Sequence, residues 1–333
     1  MGLTLSAPMR LYRHFNGILQ EHLGGSIAIG NFDGVHLGHQ EVINAAGKIA
    51  KKQGNPWGVL TFEPHPRSYF NKDTAAFRLT PFHLKARYIN ELGVDFLVVL
   101  QFNHDLAKMS PEDFITAILV RGFQAKHIVS GSDFVFGNQR RGTVGFLKEK
   151  GAKLNFESVG VTQVMDESGE VISSTRVRDC LVTAEPAEAA ELLGRGFEIE
   201  GRVVKGDQRG RKIGFPTANI VVSSMMQPAI GGYAVRAGLS EGNNTIWYDG
   251  IANLGYRPTF GGTTCLLETH IFDFNEDIYG KYLRVSLVGF IRPEVKFDGI
   301  NELQAQITSD TGLAKLILSG KPLSFDNGMF PKQ

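Results

Sequence analysis

The sequence predicts two domains of different class: an open parallel α/β sheet, then an antiparallel sheet or small barrel closed by a C-terminal helix. Three observations predict this. Up to about Cys180, short apolar β-rich runs alternate with segments whose apolar residues share one helical face, as in βαβ units. Beyond about residue 185, strand-like runs follow one another with frequent Gly and Pro between them. The last patterned stretch, INELQAQITSDTGLAKLIL, reads as a helix. A chain of 333 residues accommodates two cores comfortably, and the division is expected between 1–184 and 185–333.

Taken in order, SIAIGNF reads as a buried strand. GHQEVINAAGKIAKKQ follows as a helix with Val42, Ile43, Ala46, Ile49 and Ala50 on one face. WGVLTF is a second strand. In TPFHLKARYINELG, Thr80 is expected as N-cap, Pro81 in the first turn and Gly93 as C-cap. VDFLVVLQF is a third strand, and SPEDFITAILVRGF a helix opened by Ser110 and Pro111 and ended by Gly122. HIVSG and LNFESVGV complete the first sheet. AEPAEAAELLG is a short helix or helical linker. FEIEGRVVKG, GGYAVRAGL, NTIWYDGIANLG, CLLETHIFDF and YLRVSLVGFI supply the strands of the second domain.

Composition narrows the function classes. Hydrophobic content of 42% is enough for packed cores. The 35 basic and 34 acidic side chains leave a net charge of +1, so no global field favours nucleic acid. Any anion must be recognised locally. Cys180 and Cys265 stand far apart with no metal-like spacing, which fits a reducing cytoplasm. The N-terminus lacks the apolar core of a signal peptide. It matches loosely the N-myristoylation pattern of Gly2 with Ser6, which arises often by chance. No apolar run approaches the length of a membrane span; FLVVLQF is about the longest. A soluble cytoplasmic protein is expected, with small-molecule substrates, no nucleic acid and no membrane. Its oligomeric state is left open.

GNFDGVHLGHQ, Gly30 to Gln40, lies where the first strand passes into the first helix. In an open α/β sheet ligands sit at the carboxyl ends of strands, and free N–H groups and the helix dipole there attract phosphate. Glycines allow close approach of the backbone. His36 and His39, one turn apart, can donate to charge developing on phosphate oxygens. The stretch is neither G-x-G-x-x-G nor a P-loop. Two alternatives remain: a zinc pair, though no further ligand follows at the usual spacing, and purely structural histidines.

Three further stretches offer chemistry. In ISSTRVRD, Ser173, Ser174 and Thr175 present hydroxyls at a helix start, and Arg176 and Arg178 forked donors suited to phosphate. The plain alternative is a capped helix with solvated arginines. GDQRGRKIGFPTANI is a glycine-rich basic loop that could cradle phosphates or form a solvated turn. In its PTAN segment, Thr217 and Asn219 supply hard oxygens suited to Mg²⁺. Glu268 in LETH is, from the residue alone, an exposed strand glutamate.

GNFDGVHLGHQ resembles the HxGH motif of nucleotidyltransferases. Joined by TFEPHP, GSDFVFG and ISSTRVRD, it resembles the adenylyltransferase half of bacterial bifunctional riboflavin kinase/FAD synthetases. GRVVKGDQRGRKIGFPTAN, DGIANLGYRPTF, LETHIFDFNEDIYGKYLRV and IRPEVKFDGINELQAQI are similar to riboflavin kinases across nearly the whole second half. GGYAV stands where most relatives have GVYAV, and some have Asn at the place of Asp133.

The resemblance implies a Rossmann-like nucleotidyltransferase domain followed by a β-barrel kinase domain. It implies that riboflavin is phosphorylated to FMN, and FMN adenylylated to FAD, with ATP as co-substrate and Mg²⁺ as cofactor. By the same resemblance, His36, His39 and Arg176 act on the adenylyl group. Gly30, Asn31, Phe32, Asp33, Gly38, Phe62, Gly131, Asp133, Ser173, Ser174, Thr175 and Arg178 line that site. Gly201, Lys205, Gly206, Gly210, Gly214 and Pro216 line the second, with Thr217 and Asn219 as metal ligands and Glu268 as general base. Two other classes stay open: a carrier that has lost turnover, and an RNA-binding protein using Arg209, Arg211 and Lys212.

Overall fold

The computed structural model describes residues 9–71, 77–206, 210, 213–241, 244–259 and 262–320. The chain divides into two compact units, Met1–Thr175 and Arg176–Gln333.

The first unit is built on six parallel strands: β1 (Arg10–Tyr12), β2 (Ser26–Ile29), β3 (Trp57–Glu63), β4 (Phe96–Gln101), β5 (His127–Gly131) and β8 (Glu157–Val161), in the order β1-β4-β3-β2-β5-β8. Alternate side chains feed two cores, as a sheet covered on both faces requires. Ala28, Val59, Val99 and Val129 meet Val42, Ile43 and Ala46 of α1 (Leu37–Gln53) and Leu84, Tyr88 and Ile89 of α3 (Phe82–Glu91). Ile27, Ile29, Leu60, Val98 and Ile128 belong to the other core, with Phe114, Ile118 and Leu119. These last three lie on a π-helical stretch, Phe114–Gly122, that continues α5 (Pro111–Asp113). Ser110 caps α5 by accepting from Asp113 N, as its position before Pro111 suggests.

Three short helices, α2 (Pro66–Phe70), α4 (His104–Lys108) and α6 (Val144–Leu154), complete the unit, with a hairpin of β6 (Val135–Phe136) and β7 (Gly142–Thr143). One capping expectation fails. The N-cap of α3 is Pro81, without a side-chain bond, and Thr80 turns its hydroxyl instead to the loop after β2. Gly93 lies one residue beyond the C-cap Leu92, at φ +88°.

The second unit contains the larger part of α7 (Ser174–Val182), then α8 (Pro186–Leu193) and a nearly closed antiparallel barrel. Its strands are β9 (Phe197–Arg202), β10 (Ala218–Val221), β11 (Gly231–Glu241), β12 (Asn244–Thr259), β13 (Gly262–Ile271) and β14 (Tyr282–Pro293), ordered β10-β13-β12-β11-β14-β9. The two edges approach where Val204 N donates to Asn219 O at 2.9 Å. Alternation is clean on β13: Cys265, Leu267, Thr269 and Ile271 are buried, and Leu266, Glu268 and His270 only partly so. The C-terminal helix α9 (Ile300–Leu318) packs Ala314 and Leu318 against Ala234 and Ile251. No helix among the described residues is long and apolar enough to cross a membrane.

Candidate active sites

In the first unit the chain runs β2, β3, β4 outward, then returns to place β5 on the other side of β2. That reversal is a topological switch point, where the loops leaving adjacent strands diverge and open a crevice. The loops after β2 and β5 carry GNFDGVHLGHQ and GSDFVFG. Ala28–Val129 is the last pair of that ladder, and Gly30 and Gly131 each follow it by two residues.

The loop after β2 is sharply folded. Phe32 at φ 50° and Val35 at φ 43° occupy the left-handed region, costly for non-glycine residues and above all for a β-branched one. Burial compensates, since both side chains are 1% exposed. Asp33, 2% exposed, accepts from Leu79 N and from Thr80 N and Oγ1, at 3.0 to 3.4 Å, and Gly34 N donates to Thr80 Oγ1 at 3.0 Å. The carboxylate thus ties the loop to the segment before α3. Asn31 O accepts from Thr61 Oγ1 and from the buried Lys85 Nζ, at 3.1 and 3.0 Å. Lys85 also pairs with Glu63 at 2.8 Å, and Glu63 with Arg78 at 3.2 Å.

His36 is the N-cap of α1, its Nδ1 accepting from His39 N at 3.3 Å. An accepting Nδ1 places the ring proton on Nε2, which makes Nε2 a donor. The His36 and His39 rings stack with centroids 3.6 Å apart, and Phe32 meets His39 edge-on at 5.4 Å. Gly38 has to be small, because a Cβ there would lie 3.2 Å from His36 Cε1 and Nδ1. The motif therefore delivers two stacked imidazoles at a helix N-terminus, where the backbone dipole favours an anion.

Other residues named from the sequence are placed differently. Phe62 packs into the core against Phe102 and Phe114. Asp133 is exposed after β5, near the place a Gly131 side chain would take. Ser174 opens α7 and donates to Asp33 O at 2.8 Å, with Ser173 partly buried before it and Thr175 exposed after it. Arg176 and Arg178 follow on the same helix, and Arg176 lies 3.9 Å from Glu188.

The second unit assembles its site across strands. Asn219 on β10 and Glu268 on β13 are direct partners, and Asn253 on β12 faces Glu268 from the other side. Directly paired residues point to the same face, so the register makes a row of Asn219, Glu268 and Asn253. Asn219 is 4% exposed, and among the described residues its Oδ1 has no hydrogen-bond partner. A buried carbonyl oxygen without a donor suits a hard cation. Gly206 lies flat against it, where a Cβ would come 2.6 Å from Asn219 Nδ2. His270 Nδ1 donates to Pro216 O at 2.9 Å and fixes the segment before Thr217. Phe215 N closes a turn onto Gly210 O at 2.8 Å, Gly214 sits at φ +87°, and Lys205 lies over the Tyr279 ring. Gly201, on β9, leaves room for Ile220. Arg209, Arg211 and Lys212 lie outside the described residues.

Several neighbours were not singled out from the sequence. Lys85, Glu63 and Arg78 brace the first loop, Asn253 and Arg257 adjoin Glu268, and Glu294 holds Arg257. Asn253 and Arg257 stand in DGIANLGYRPTF, so the signal was present without a role attached.

Residues 19–176 match the FAD synthetase family and residues 193–318 the riboflavin kinase family. The bifunctional riboflavin kinase/FMN adenylyltransferase of Escherichia coli strain K12 is 39% identical over 303 residues, covering 91% of this chain and 96% of that protein. Its counterpart from Bacillus subtilis strain 168 is 39% identical over 300 residues, covering 88% and 92%. A crystal structure described as a macrolide-efflux protein from Streptococcus pneumoniae has a TM-score of 0.80 and 32% identity, covering 93% of this chain and 99% of that one.

Proposed function

The chain belongs to the bifunctional riboflavin kinase/FMN adenylyltransferase family of flavin cofactor synthesis, and from that premise we propose which residues carry each step. The single observation behind the assignment is the alignment of Asn219, Glu268 and Asn253 across three strands, with one buried oxygen left unsatisfied.

In the kinase step Glu268 takes the proton of the riboflavin 5′-hydroxyl. The oxygen attacks the γ-phosphorus of ATP, the bond to the β-phosphate oxygen breaks, and ADP leaves. Thr217 and Asn219 would hold Mg²⁺, which when bound neutralises charge between the β- and γ-phosphates. Gly201, Lys205, Gly206, Gly210, Gly214 and Pro216 shape the phosphate-binding side.

In the adenylyl step a phosphate oxygen of FMN attacks the α-phosphorus of a second ATP, and pyrophosphate leaves. The attacking group is already anionic, so no side-chain base is needed. His36 Nε2–H and His39 stabilise the developing charge with the N-terminus of α1, and the motif extends this role to Arg176, with Arg178 assigned to binding. Asp33 serves the geometry of the loop. Riboflavin, FMN and ATP suffice as partners. Two free, buried cysteines agree with work in the cytoplasm.

We place the start of the kinase half near residue 185. Ala189, Leu192 and Leu193 of α8 are buried in the second unit, where α8 packs on β9 and β14. A fragment from Pro186 should make FMN but no FAD, and one starting after α8 should be less stable. A fragment from Pro186 that folds but makes no FMN would refute this boundary.

The deciding experiment follows riboflavin, ATP and Mg²⁺ over time, with FMN and FAD resolved chromatographically. Glu268→Gln should lower kcat for FMN formation by about 10²–10⁴ and spare FAD formation from supplied FMN. His36→Ala should do the reverse, slowing adenylylation by about 10²–10³. Parallel loss of both activities in either variant would overturn the assignment.

A further inference from the structure

We propose that Arg257 is the positioning residue of the kinase site: its guanidinium ties the Glu268 carboxylate to Glu294 and so sets which oxygen Glu268 offers to the attacking hydroxyl. The proposal rests on reading Glu268 as the general base.

Glu268 is an unbranched side chain on a strand face, with several rotamers open to it. A base must nevertheless stand within hydrogen-bond reach of the proton it removes. Arg257 NH2 donates to Glu268 Oε2 at 2.7 Å. Its NH1 donates to Glu294 Oε1 at 3.1 Å and to its own neighbour, Tyr256 O, at 3.3 Å. One planar cation is therefore fixed from three directions, and among the described residues Oε1 of Glu268 is the oxygen the bridge leaves to receive a proton.

The backbone is shaped for this bridge. Asn253, Gly255 and Arg257 alternate along one face of β12, and Asn253 is the register partner of Glu268. Arg257 pairs with Thr264, so its long side chain must run back along the strand to reach Glu268. Gly255 lies between, where a Cβ would come 2.6 Å from Glu294 Oε1. A Cβ there would make the Glu294 carboxylate shift.

The cation is also held in its charged form. Burial pulls its pKa down, but Glu268 and Glu294 outweigh that and raise it overall. Lysine could not substitute fully, because a point charge cannot engage two carboxylates through separate, rigidly forked donors. Each of the three side chains is between a quarter and two-fifths exposed, so the bridge is accessible to substrate and contributes more to orientation than to stability.

The test is a double-mutant cycle on riboflavin phosphorylation by the full chain. Arg257→Ala should lower kcat about 10- to 100-fold and leave KM for riboflavin within about twofold. In a Glu268→Gln background the same change should cost less than about twofold, since there is no base left to orient. Arg257→Lys should recover part of the loss, and Glu294→Gln should lower kcat mildly. Flavin fluorescence reports whether each variant still binds riboflavin; if Arg257→Ala does not, Arg257→Lys and Glu294→Gln carry the cycle. Equal losses in both backgrounds, or normal kcat in Arg257→Ala beside a slow Glu268→Gln, would overturn the positioning role. A Glu268→Gln enzyme with normal turnover would overturn the base itself, and this proposal with it.

Discussion

Gly38→Ala separates the folding of the first unit from its chemistry. Gly38 sits in the first turn of α1, and a Cβ there would lie 3.2 Å from two atoms of the His36 ring and 3.4 Å from Ile172 O. Ordinary carbon contacts need about 3.5–4.0 Å, so the ring must retreat by a few tenths of an ångström. It cannot retreat freely, because the His39 ring is stacked 3.6 Å away and Nδ1 is bonded to His39 N at 3.3 Å. Alanine gains up to about 1 kcal/mol of helix propensity, whereas a weakened N-cap loses about 0.5–2 kcal/mol. The two nearly cancel, so the thermal midpoint should move by only a few degrees. Catalysis has no such compensation. A misplacement of 1 Å can cost about 10²-fold, and a smaller one about tenfold. FAD and pyrophosphate release from FMN and ATP should thus fall about tenfold or more, with riboflavin phosphorylation in the same preparation unchanged. Adenylylation within twofold of the unmodified enzyme, at preserved stability, would refute the reasoning that His36 acts through its ring position.

Asp33→Ala should instead damage stability. It leaves Leu79 N and Thr80 N without their acceptor, at about 1–3 kcal/mol each, and should show as an earlier melting transition with loss of adenylylation. Asn219→Ala removes the unsatisfied Oδ1; kinase activity should need about tenfold more Mg²⁺, and an unchanged Mg²⁺ titration would remove Asn219 from the metal. The Cys265 thiol is pushed up to about 11, first by burial and then by the nearby Glu294, so it should resist alkylation near pH 8 until the barrel unfolds. Its folded pKa lies above the ordinary thiol value of 9.0, so its contribution to stability is complete below about pH 9 and lost as pH rises toward 11. Stability that stays flat across that window in denaturant titrations would contradict the burial.

Local pattern made the first unit readable. The strands carry continuous apolar runs because both faces are covered, and the helix after β2 shows its buried face in Val42, Ile43, Ala46 and Ala50. What escaped the sequence depended on tertiary partners. Thr80 looks like a cap because it precedes Pro81, yet the backbone of Gly34 competes for its hydroxyl and wins. β1 spans three residues, too short for any period to show, and gains its identity only by pairing with β4. Lys85 reads as one more charged position on a helix; its 1% exposure follows from Glu63 and Asn31 O meeting its ammonium. β10 lies inside a stretch that reads as a glycine-rich phosphate loop, and only its partner β13 makes PTAN half strand.

The two sites were legible to different depths for a physical reason. At the switch point the candidate groups come from one continuous turn, so spacing alone brings His36 and His39 together. In the barrel, Asn219, Asn253 and Glu268 are far apart in sequence, and hydrogen-bond register alone aligns them. Register has a period of two, which makes that alignment fragile as well as hidden. A slip of one residue in β13 would turn Glu268 toward the barrel interior, beside Leu254 and Ile220. It would bring Thr269 to the outer face in its place. The alternation of Cys265, Leu267, Thr269 and Ile271 into the core opposes that slip, because it would expose Leu267 and Ile271 and bury Glu268 and His270 in their place. The same apolar side chains that hold the barrel together therefore keep the Glu268 carboxylate facing Asn219 and Asn253.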